Sequence, residues 1–150
     1  MANTFTCLRY HVVFSTKHRE PWLRASVQER VCAYLGGIAR EHELTPLLVG
    51  SMDDHIHMLL GIPTTVTVSE ALKYVKGGSS AWIKENVPGC RGFAWQDGYG
   101  AFTVSKSSES SVKEYIAHQH EHHRVRTFQE EYRALLARHG IKYDERFLWD

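Results

Sequence analysis

The order of the predicted elements indicates an α+β protein with a ferredoxin-like (split βαβ) fold, in which helices cover one face of an antiparallel sheet. Three observations support this prediction. Short β-rich segments and amphipathic segments follow one another as strand, helix, strand, strand, helix, strand. The two middle strands are separated by only a short polar stretch, which favours a hairpin. After the fourth strand, the remaining segments have helical periodicity and are predicted to be additional C-terminal helices.

The first strand is predicted over Phe5 to Ser15, in "TFTCLRYHVVFST", because apolar and polar residues alternate there and β-branched and aromatic residues are frequent. The first helix is predicted in "ASVQERVCAYLGGIAREHE", where apolar residues recur at helical spacing after a serine cap at Ser26. Gly36 and Gly37 lie in the middle of this helix and lower its intrinsic stability.

The middle of the chain predicts a hairpin followed by a second helix. "LTPLLVGSM" and "HIHMLLGI" are short apolar segments joined by Asp53 and Asp54, which is typical of two paired strands. The helix in "TTVTVSEALKYVKGGSSAWIKENVPG" is predicted to begin after a cap at Thr67 or Ser69 and to end at the Pro-Gly pair. The Gly-Gly pair inside it marks a candidate break.

The C-terminal third predicts one strand, two helices and a docked tail. "FAWQDGYGAFTVS" is predicted to contain the fourth strand, and "SESSVKEYIAHQHEHHR" forms a helix capped by Ser108. "TFQEEYRALLARHG" forms a further helix, with Thr127 as its cap and Gly140 as its stop. The aromatic tail "IKYDERFLWD" is expected to pack on the domain. Because there is no repeat, low-complexity segment or linker, residues 1–150 are predicted to be one domain.

Composition narrows the classes of function. The chain has 18 Lys and Arg against 17 Asp and Glu, a net charge of +1, so a nucleic-acid-binding protein of this composition needs a local basic patch. Cys7, Cys32 and Cys90 are odd in number and far apart, which opposes a disulfide framework or a cysteine zinc site. There is no secretory signal and no apolar segment near the ~20 residues of a membrane span. We therefore predict a cytoplasmic protein.

Two histidines stand one residue apart in "SMDDHIHMLLGI". Alternate residues of a strand point to the same face, so His55 and His57 are expected to project together, with Ile56 on the opposite face. Two imidazoles on a rigid strand form half of a divalent metal site. The same spacing also occurs on solvated sheet faces, so the second half of the site decides between the two interpretations.

The segment "EYIAHQ" offers that second half. Tyr115 and Gln119 are four residues apart and share one face of a predicted helix. Gln119 can supply an amide oxygen as a third ligand, and Tyr115 can supply a nucleophilic phenol. A divalent metal would bind a phosphate oxygen and orient the ester for in-line attack. The product, a tyrosine–phosphate ester, retains the bond energy, so that a DNA strand can be cut and rejoined without ATP.

These segments resemble the single-tyrosine HUH transposases, bacterial insertion-sequence transposases whose motif is histidine–hydrophobic–histidine. "DHIHMLL" is similar to that motif, and "YIAHQ" to the helix that carries the nucleophile and the third metal ligand. The resemblance runs in one consistent order from about Phe5 to Trp149, and its other parts are "RYHVVFSTKHREP", "FAWQDGYGAFTVS" and "HHRVRTFQEEYRALLARHGIKYDERFLW".

The resemblance implies a ferredoxin-like domain whose C-terminal helices carry the nucleophile. It also implies a metal-dependent DNA transposase, with Mg²⁺ or Mn²⁺, that cuts and rejoins single-stranded DNA at hairpin-marked ends through a 5′-phosphotyrosine. His55, His57 and Gln119 would be the metal ligands and Tyr115 the nucleophile. The implied assembly is a homodimer in which the tyrosine and the histidine pair come from different subunits. The implied location is the bacterial cytoplasm, at the nucleoid during the reaction.

The chain departs from the pattern of these transposases at two positions. Asp53 stands where many relatives have proline, and either changes only the turn or becomes an outer-shell partner of the metal site. His118 stands where asparagine is frequent, and it is a candidate outer-shell group or a helix-surface residue. Neither departure removes a ligand or the nucleophile.

Basic side chains after the first predicted strand and in the second predicted helix are candidate DNA contacts. Lys17 and Arg19 follow the first strand, whereas Lys73 and Lys76 share one face of the second helix. Phosphate binding is predicted for all four, and a solvated charged face is the alternative for each. The histidines of "HQHEHHR" offer a further metal-like spacing, for which roles in phosphate binding or structure are favoured over a separate zinc site.

Two alternative functions stay open. The first is a domesticated relative that acts on repeated genomic hairpins by the same chemistry, and paired hairpins in the DNA flanking the gene would distinguish a mobile element from it. The second is a non-catalytic hairpin-binding protein that uses its sheet face. That class needs exposed aromatic residues on the central strands, where this chain has His55 and His57 instead.

Overall fold

The computed structural model describes residues 3–123 and 126–150, and its centre is a four-stranded antiparallel sheet. The strand order β2-β3-β1-β4, with one helix after β1 and one after β3, is the predicted split βαβ arrangement. The α+β, ferredoxin-like prediction is therefore confirmed. The elements of this core are β1 (Arg9–Ser15), α1 (Ala25–Glu41), β2 (Thr45–Ser51), β3 (His55–Gly61), α2 (Val68–Asn86) and β4 (Gly100–Val104).

Three further helices follow β4. They are α3 (Glu109–Ala117), the one-turn α4 (Gln119–His122) and α5 (Phe128–Arg138). Thr127 caps α5 by accepting a hydrogen bond from the backbone N–H of Glu130, and Gly140, at φ +65°, ends the segment as predicted. Among the described residues, no helix combines the length and the apolar character that crossing a membrane requires.

The sheet is covered on both faces. The first face carries the apolar side chains of alternate strand positions, such as Phe14, Ile56 and Met58, and packs on α1 and α2. The second face carries Val13 and Phe102 and packs on the apolar side of α5. Helices α1 and α2 are the predicted one-face layer, and the C-terminal helices enclose the opposite face, where His55 and His57 lie.

Both helices are continuous through their Gly-Gly pairs, so the candidate break in α2 does not occur. In α2, a Cβ on Gly78 would lie 2.8 Å from Cδ1 of Ile38, so the glycine allows α1 and α2 to approach closely. Thr67 caps α2, as one of the two predicted alternatives. Ser26 does not cap α1, which begins one residue earlier at Ala25, and Ser108 occupies the cap position of α3 without a side-chain bond.

The first strand is shorter than predicted. It begins at Arg9 because its neighbours end there, with Arg9 opposite Gly61 on one side and Val104 on the other. Phe5, the predicted first residue of the strand, lies outside it and is 92% exposed. The tail docks as predicted, because the carbonyl of Asp150 accepts hydrogen bonds from Gly98 N at 3.2 Å and from Gln96 Nε2 at 3.2 Å.

Candidate functional site

His55 and His57 share one face of β3, as the alternation predicts. Their ring centroids lie 5.2 Å apart, and each residue is only 1% exposed. Phe128 of α5 stacks on the His55 ring at 4.2 Å, so that the C-terminal helix covers this part of the sheet. A solvated sheet face, the alternative interpretation of the pair, is therefore wrong.

The Nδ1 atom of each histidine in this pair contacts a side chain that is not a predicted metal ligand. Nδ1 of His55 donates to Oδ1 of Asp54 at 2.7 Å, and Nδ1 of His57 lies 2.7 Å from Nε2 of His11 on β1. Such second partners fix the tautomer and orientation of metal-ligating imidazoles and leave Nε2 for the ligand position. The outer carboxylate is Asp54, whereas Asp53 accepts a hydrogen bond from Gln28 Nε2 at 3.0 Å.

Tyr115 and Gln119 both turn towards the histidines, although they do not share one continuous helix. Helix α3 ends at Ala117, His118 has φ −102° and ψ 26°, and α4 begins at Gln119. Oε1 of Gln119 lies 3.4 Å from Nε2 of His55, and Gln119 is 2% exposed. The structure therefore brings all four predicted catalytic and metal-binding side chains together in one chain.

Glu131 of α5 stands at the centre of these groups and was missed by the sequence analysis. Its Oε1 lies 3.0 Å from Nε2 of His57 and 3.6 Å from Nε2 of His55, and its Oε2 accepts a hydrogen bond from the Tyr115 hydroxyl. A signal for it existed. Glu131 falls within the buried stripe of α5, a position where an acidic residue is rarely found without a partner (the stripe is Phe128, Glu131, Tyr132, Leu135 and Leu136).

His123, one of the histidines of "HQHEHHR" for which phosphate-binding or structural roles are favoured above, also reaches the cluster. Its Nε2 lies 3.2 Å from Oε1 of Glu131 and 3.2 Å from Oε1 of Gln119. One ligand atom from each of four residues, all within 4.8 Å of one another, could hold a metal ion: His55, His57, His123 and Glu131. His123 follows Gln119 by four residues, the spacing that also links Tyr115 and Gln119, and this periodicity was the available signal.

The protonation states of the inner groups follow from burial and from Glu131. Burial lowers the pKa of His57 to about 4, although Glu131 acts in the opposite direction. Burial opposes ionisation of Glu131, yet the hydrogen bonds from His123, His57 and Tyr115 outweigh it and hold the pKa of Glu131 well below its usual range. At neutral pH, Glu131 is therefore ionised and His57 is neutral, and the neutral imidazole is the form that binds a cation.

The hydroxyl of Tyr115 is held protonated. Burial, reinforced by the neighbouring Glu131 carboxylate, raises the pKa of Tyr115 to about 12, and Arg126 opposes this effect. The His122 ring stacks on the Tyr115 ring at 4.6 Å and fixes its plane. The nucleophile candidate is thus oriented by two contacts, one to its ring and one to its hydroxyl.

A cleft of about 550 Å³ leads to the cluster, a volume within the range of ligand-binding sites. His55 and His123 form part of its wall, so the candidate ligands are reached from this side. Arg126 also lines the cleft and offers a positive charge for a phosphate, which the predicted set of basic residues did not include.

The four basic residues predicted to bind DNA lie outside the cluster. Lys17 lies 3.7 Å from Asp97, Arg19 stacks over Trp149 at 5.0 Å, and Lys73 is exposed on α2. Nζ of Lys76 donates to the carbonyls at residues 96, 97 and 98 at 2.7, 3.1 and 2.7 Å. These bonds engage all three protons of Lys76, and burial lowers its pKa to about 8.

The family to which this arrangement belongs follows from comparison with known proteins. Residues 4–119 match the model of the family described as "Transposase IS200 like". The chain belongs to the IS200-like transposase family. The matched range contains His55, His57 and Tyr115 and ends at Gln119, so His123 and Glu131 lie beyond it.

Two individual transposases are also similar in sequence to this chain. The transposase for insertion sequence element IS200 of Salmonella typhimurium strain LT2 is 32% identical over 125 residues, which cover 79% of this chain and 81% of the relative. The IS200 transposase of Salmonella typhi matches equally well, with 32% identity over 125 residues. The resemblance inferred from the sequence motifs is confirmed.

Two solved structures share the fold of this transposase. A crystal structure from Deinococcus radiodurans R1, of a protein described as a candidate transposase, matches with a TM-score of 0.66 and 26% identity, over 79% of this chain and 95% of that one. A REP-associated tyrosine transposase bound to a REP hairpin matches with a TM-score of 0.60 and 12% identity, over 82% and 74% of the two chains. At 12% identity, the second match shows a common fold.

Proposed function

We propose that this transposase cuts and rejoins single-stranded DNA at hairpin-marked ends by attack of Tyr115 on a phosphodiester. The observation that carries the proposal is the meeting of the Tyr115 hydroxyl and Nε2 of His57 on one buried carboxylate, Glu131. This links the nucleophile candidate to the metal-ligand candidates within a single site. Family membership supports DNA transposition, and the hairpin bound by the REP-associated neighbour supports a hairpin substrate.

A divalent cation, Mg²⁺ or Mn²⁺, is proposed to be held by His55, His57 and Gln119. The donor set fits such an ion, because Asp54 and His11 contact the Nδ1 atoms and leave both Nε2 atoms directed into the site, where that of His55 lies 3.4 Å from the amide oxygen of Gln119. When bound, the cation supplies Lewis-acid polarisation of the scissile phosphate and offsets its negative charge.

The side chains of the site prepare Tyr115 for attack. The hydrogen bond to Oε2 of Glu131 orients the phenol oxygen for attack. The proton that the phenol loses during attack balances the proton that the departing 3′ oxygen takes up. Attack of the phenol oxygen forms the bond to phosphorus and breaks the bond to the 3′ oxygen, which takes up a proton and leaves as a hydroxyl. The 5′-phosphotyrosine keeps the ester, so the reverse attack by a 3′ hydroxyl rejoins a strand.

Within this proposal, Tyr115 and the histidine pair of the same subunit form one active site. The Tyr115 and His57 rings of one chain lie 6.0 Å apart, so a site shared between two subunits, as the resemblance implies, is not needed to assemble these groups. A homodimer stays part of the proposal, since two hairpin-marked ends must be handled together. Lys17, Arg19 and Lys73 are proposed phosphate contacts, and Arg126 joins them at the cleft.

The test is covalent-adduct formation with removal of the metal. The full chain is incubated with single-stranded DNA from the gene flanks and Mg²⁺ or Mn²⁺, and the products are separated on a denaturing gel. We expect a protease-sensitive adduct that does not form in EDTA and forms again when excess Mn²⁺ is added. His57→Ala should lower the adduct yield on the order of 10²-fold or more. His42→Ala is the matched control, because His42 stacks on Tyr74 outside the cluster.

Other outcomes of this assay separate the alternatives. Tight hairpin binding without an adduct, on any flanking strand and with either metal, would show a non-catalytic hairpin-binding protein. An adduct that persists in EDTA would contradict the metal dependence. Adducts on repeated genomic hairpins, but not on the gene flanks, would show a domesticated relative.

The two lysines of α2 are expected to have different roles, Lys76 in the stability of the fold and Lys73 in DNA binding. Lys76→Ala should lower the free energy of unfolding by about 1–2 kcal/mol, because it leaves three carbonyls, one of them of the buried Gln96, without a charged donor. Lys73→Ala should change it by less than about 0.5 kcal/mol. It should instead weaken hairpin binding and reduce the salt dependence of the affinity by about one phosphate contact.

Urea unfolding and DNA titrations at several salt concentrations measure both effects in both variants. Equal stability losses in the two variants would contradict the structural role of Lys76. A salt dependence that is unchanged in Lys73→Ala would remove Lys73 from the proposed phosphate contacts.

A further inference from the structure

We propose that His123 and Glu131 are metal ligands, so that the ion is held by three imidazoles and one carboxylate together with the amide oxygen of Gln119. This inference rests on the metal dependence proposed above and extends it to two residues outside the segment that matches the family model.

The first support is convergence on one atom. Oε1 of Glu131 lies 3.0, 3.2 and 3.6 Å from Nε2 of His57, His123 and His55, respectively. Nitrogen and oxygen ligands of a first-row metal lie about 2.0–2.2 Å from the ion, so opposite ligands are about 4.2 Å apart. The four candidate ligand atoms lie within 4.8 Å of one another, which differs from that geometry by a fraction of an ångström.

The second support is the orientation of His123. Its Nδ1 lies 3.1 Å from the backbone carbonyl of Arg126, so Nδ1 carries the proton and Nε2 is left for the cluster. Nδ1 of His55 and of His57 is likewise in contact with an outer partner, Asp54 and His11 respectively. An outer partner on Nδ1 and an Nε2 directed at a common point are the features of metal-ligating histidines, and they occur in all three.

The third support is the burial of Glu131. A carboxylate with 0% exposure needs partners, and within the described residues the partners of Glu131 are imidazoles, the amide of Gln119 and a phenol, with no Lys or Arg in ion-pair range. Its two oxygens have different neighbours, since Oε1 faces the imidazoles and Oε2 accepts from Tyr115. A ligand at this position would connect the metal directly to the orientation of the nucleophile.

This ligand set also selects among metals. Mg²⁺ prefers oxygen ligands and retains several waters, whereas first-row transition-metal ions, Mn²⁺ included, bind imidazole nitrogen more strongly than Mg²⁺ does. Three imidazoles therefore favour Mn²⁺ over Mg²⁺, and we expect Mn²⁺ to bind more tightly by at least about tenfold.

The test measures metal binding without DNA. Mn²⁺ is titrated into the metal-free full chain, and the free ion is followed by electron paramagnetic resonance, with the Mn²⁺-induced rise in Tm as a second readout. Glu131→Gln is compared with Glu130→Gln, and His123→Ala with His120→Ala, because Glu130 and His120 are exposed neighbours. We expect the Kd for Mn²⁺ to rise at least about tenfold in the first member of each pair and to stay within about twofold of wild type in the second.

Each outcome separates this inference from the proposed function. If His57→Ala loses Mn²⁺ while Glu131→Gln and His123→Ala bind like wild type, the two added ligands are overturned and the proposed function stands. If the wild type binds neither Mn²⁺ nor Mg²⁺, both are overturned. If Glu131→Gln does not fold, His123→Ala decides, because the His123 side chain is partly exposed and lies at the edge of the cluster.

Discussion

Replacing Tyr115 by phenylalanine is expected to abolish the covalent protein–DNA adduct, with a loss on the order of 10³-fold or more. In the proposed reaction the phenol oxygen is the atom that bonds to phosphorus, and no metal or neighbouring carboxylate can replace it in a phosphotyrosine. The substitution keeps the ring that stacks on His122 and removes only the hydroxyl that donates to Glu131. Quantified gel bands at several times measure the effect.

The same variant is expected to fold and to bind hairpins. Loss of one hydrogen bond to Glu131 should lower the free energy of unfolding by about 1–3 kcal/mol, which Tm measurements detect. Tyr143→Phe is the matched control, because Tyr143 is an exposed tyrosine of the tail and should keep full adduct yield. An adduct that survives in Tyr115→Phe would place the nucleophile on another side chain.

The sheet and its first helical layer could be predicted from the sequence because they follow local rules. Alternation in "HIHMLLG" predicts a strand with His55 and His57 on one face, and the structure has both there. The boundaries depend on non-local partners. The first strand begins at Arg9, not at Phe5, because β3 and β4 end opposite Arg9, and no property of "TFTC" itself indicates this.

The sequence signals for half of the candidate metal site are weak, because its residues come together only when α5 packs on the sheet. Glu131 lies 74 residues from His57 in sequence but 3.0 Å away in space. The chain contains several acidic residues on helices, and only the burial of α5 against the second sheet face distinguishes Glu131 from its exposed neighbour Glu130. The turn at His118 likewise changes the direction of the chain before Gln119 and His123, which a single helix from Ser108 onwards did not anticipate.

The two lysines of α2 also differ between what their sequence spacing predicts and what they contact in the structure. Lys73 and Lys76 are three residues apart and look equivalent as a basic helix face. In the structure, Lys76 is enclosed by the loop that precedes β4 and binds three of its carbonyls, whereas Lys73 stays in solvent. A basic pair in sequence is thus one structural residue and one candidate phosphate contact.

Mixing two inactive variants is expected to give no adduct. Tyr115→Phe keeps the histidines and lacks the proposed nucleophile, and His57→Ala keeps the proposed nucleophile and lacks a proposed ligand. Since one chain places the Tyr115 ring 6.0 Å from the His57 ring and joins both side chains through Glu131, each variant subunit should be defective by itself. The two proteins are co-expressed so that any dimers form from mixed subunits, and the adduct is measured against wild type.

A shared site predicts the opposite result. If Tyr115 of one subunit served the histidines of the other, half of the dimers in a random mixture would carry both variants, and each of these would hold one intact site. The adduct would then return to about a quarter of the wild-type yield. Recovery at that level would show that helices α3 to α5 are exchanged between subunits, and that the cluster at Glu131 is assembled from two chains during cleavage.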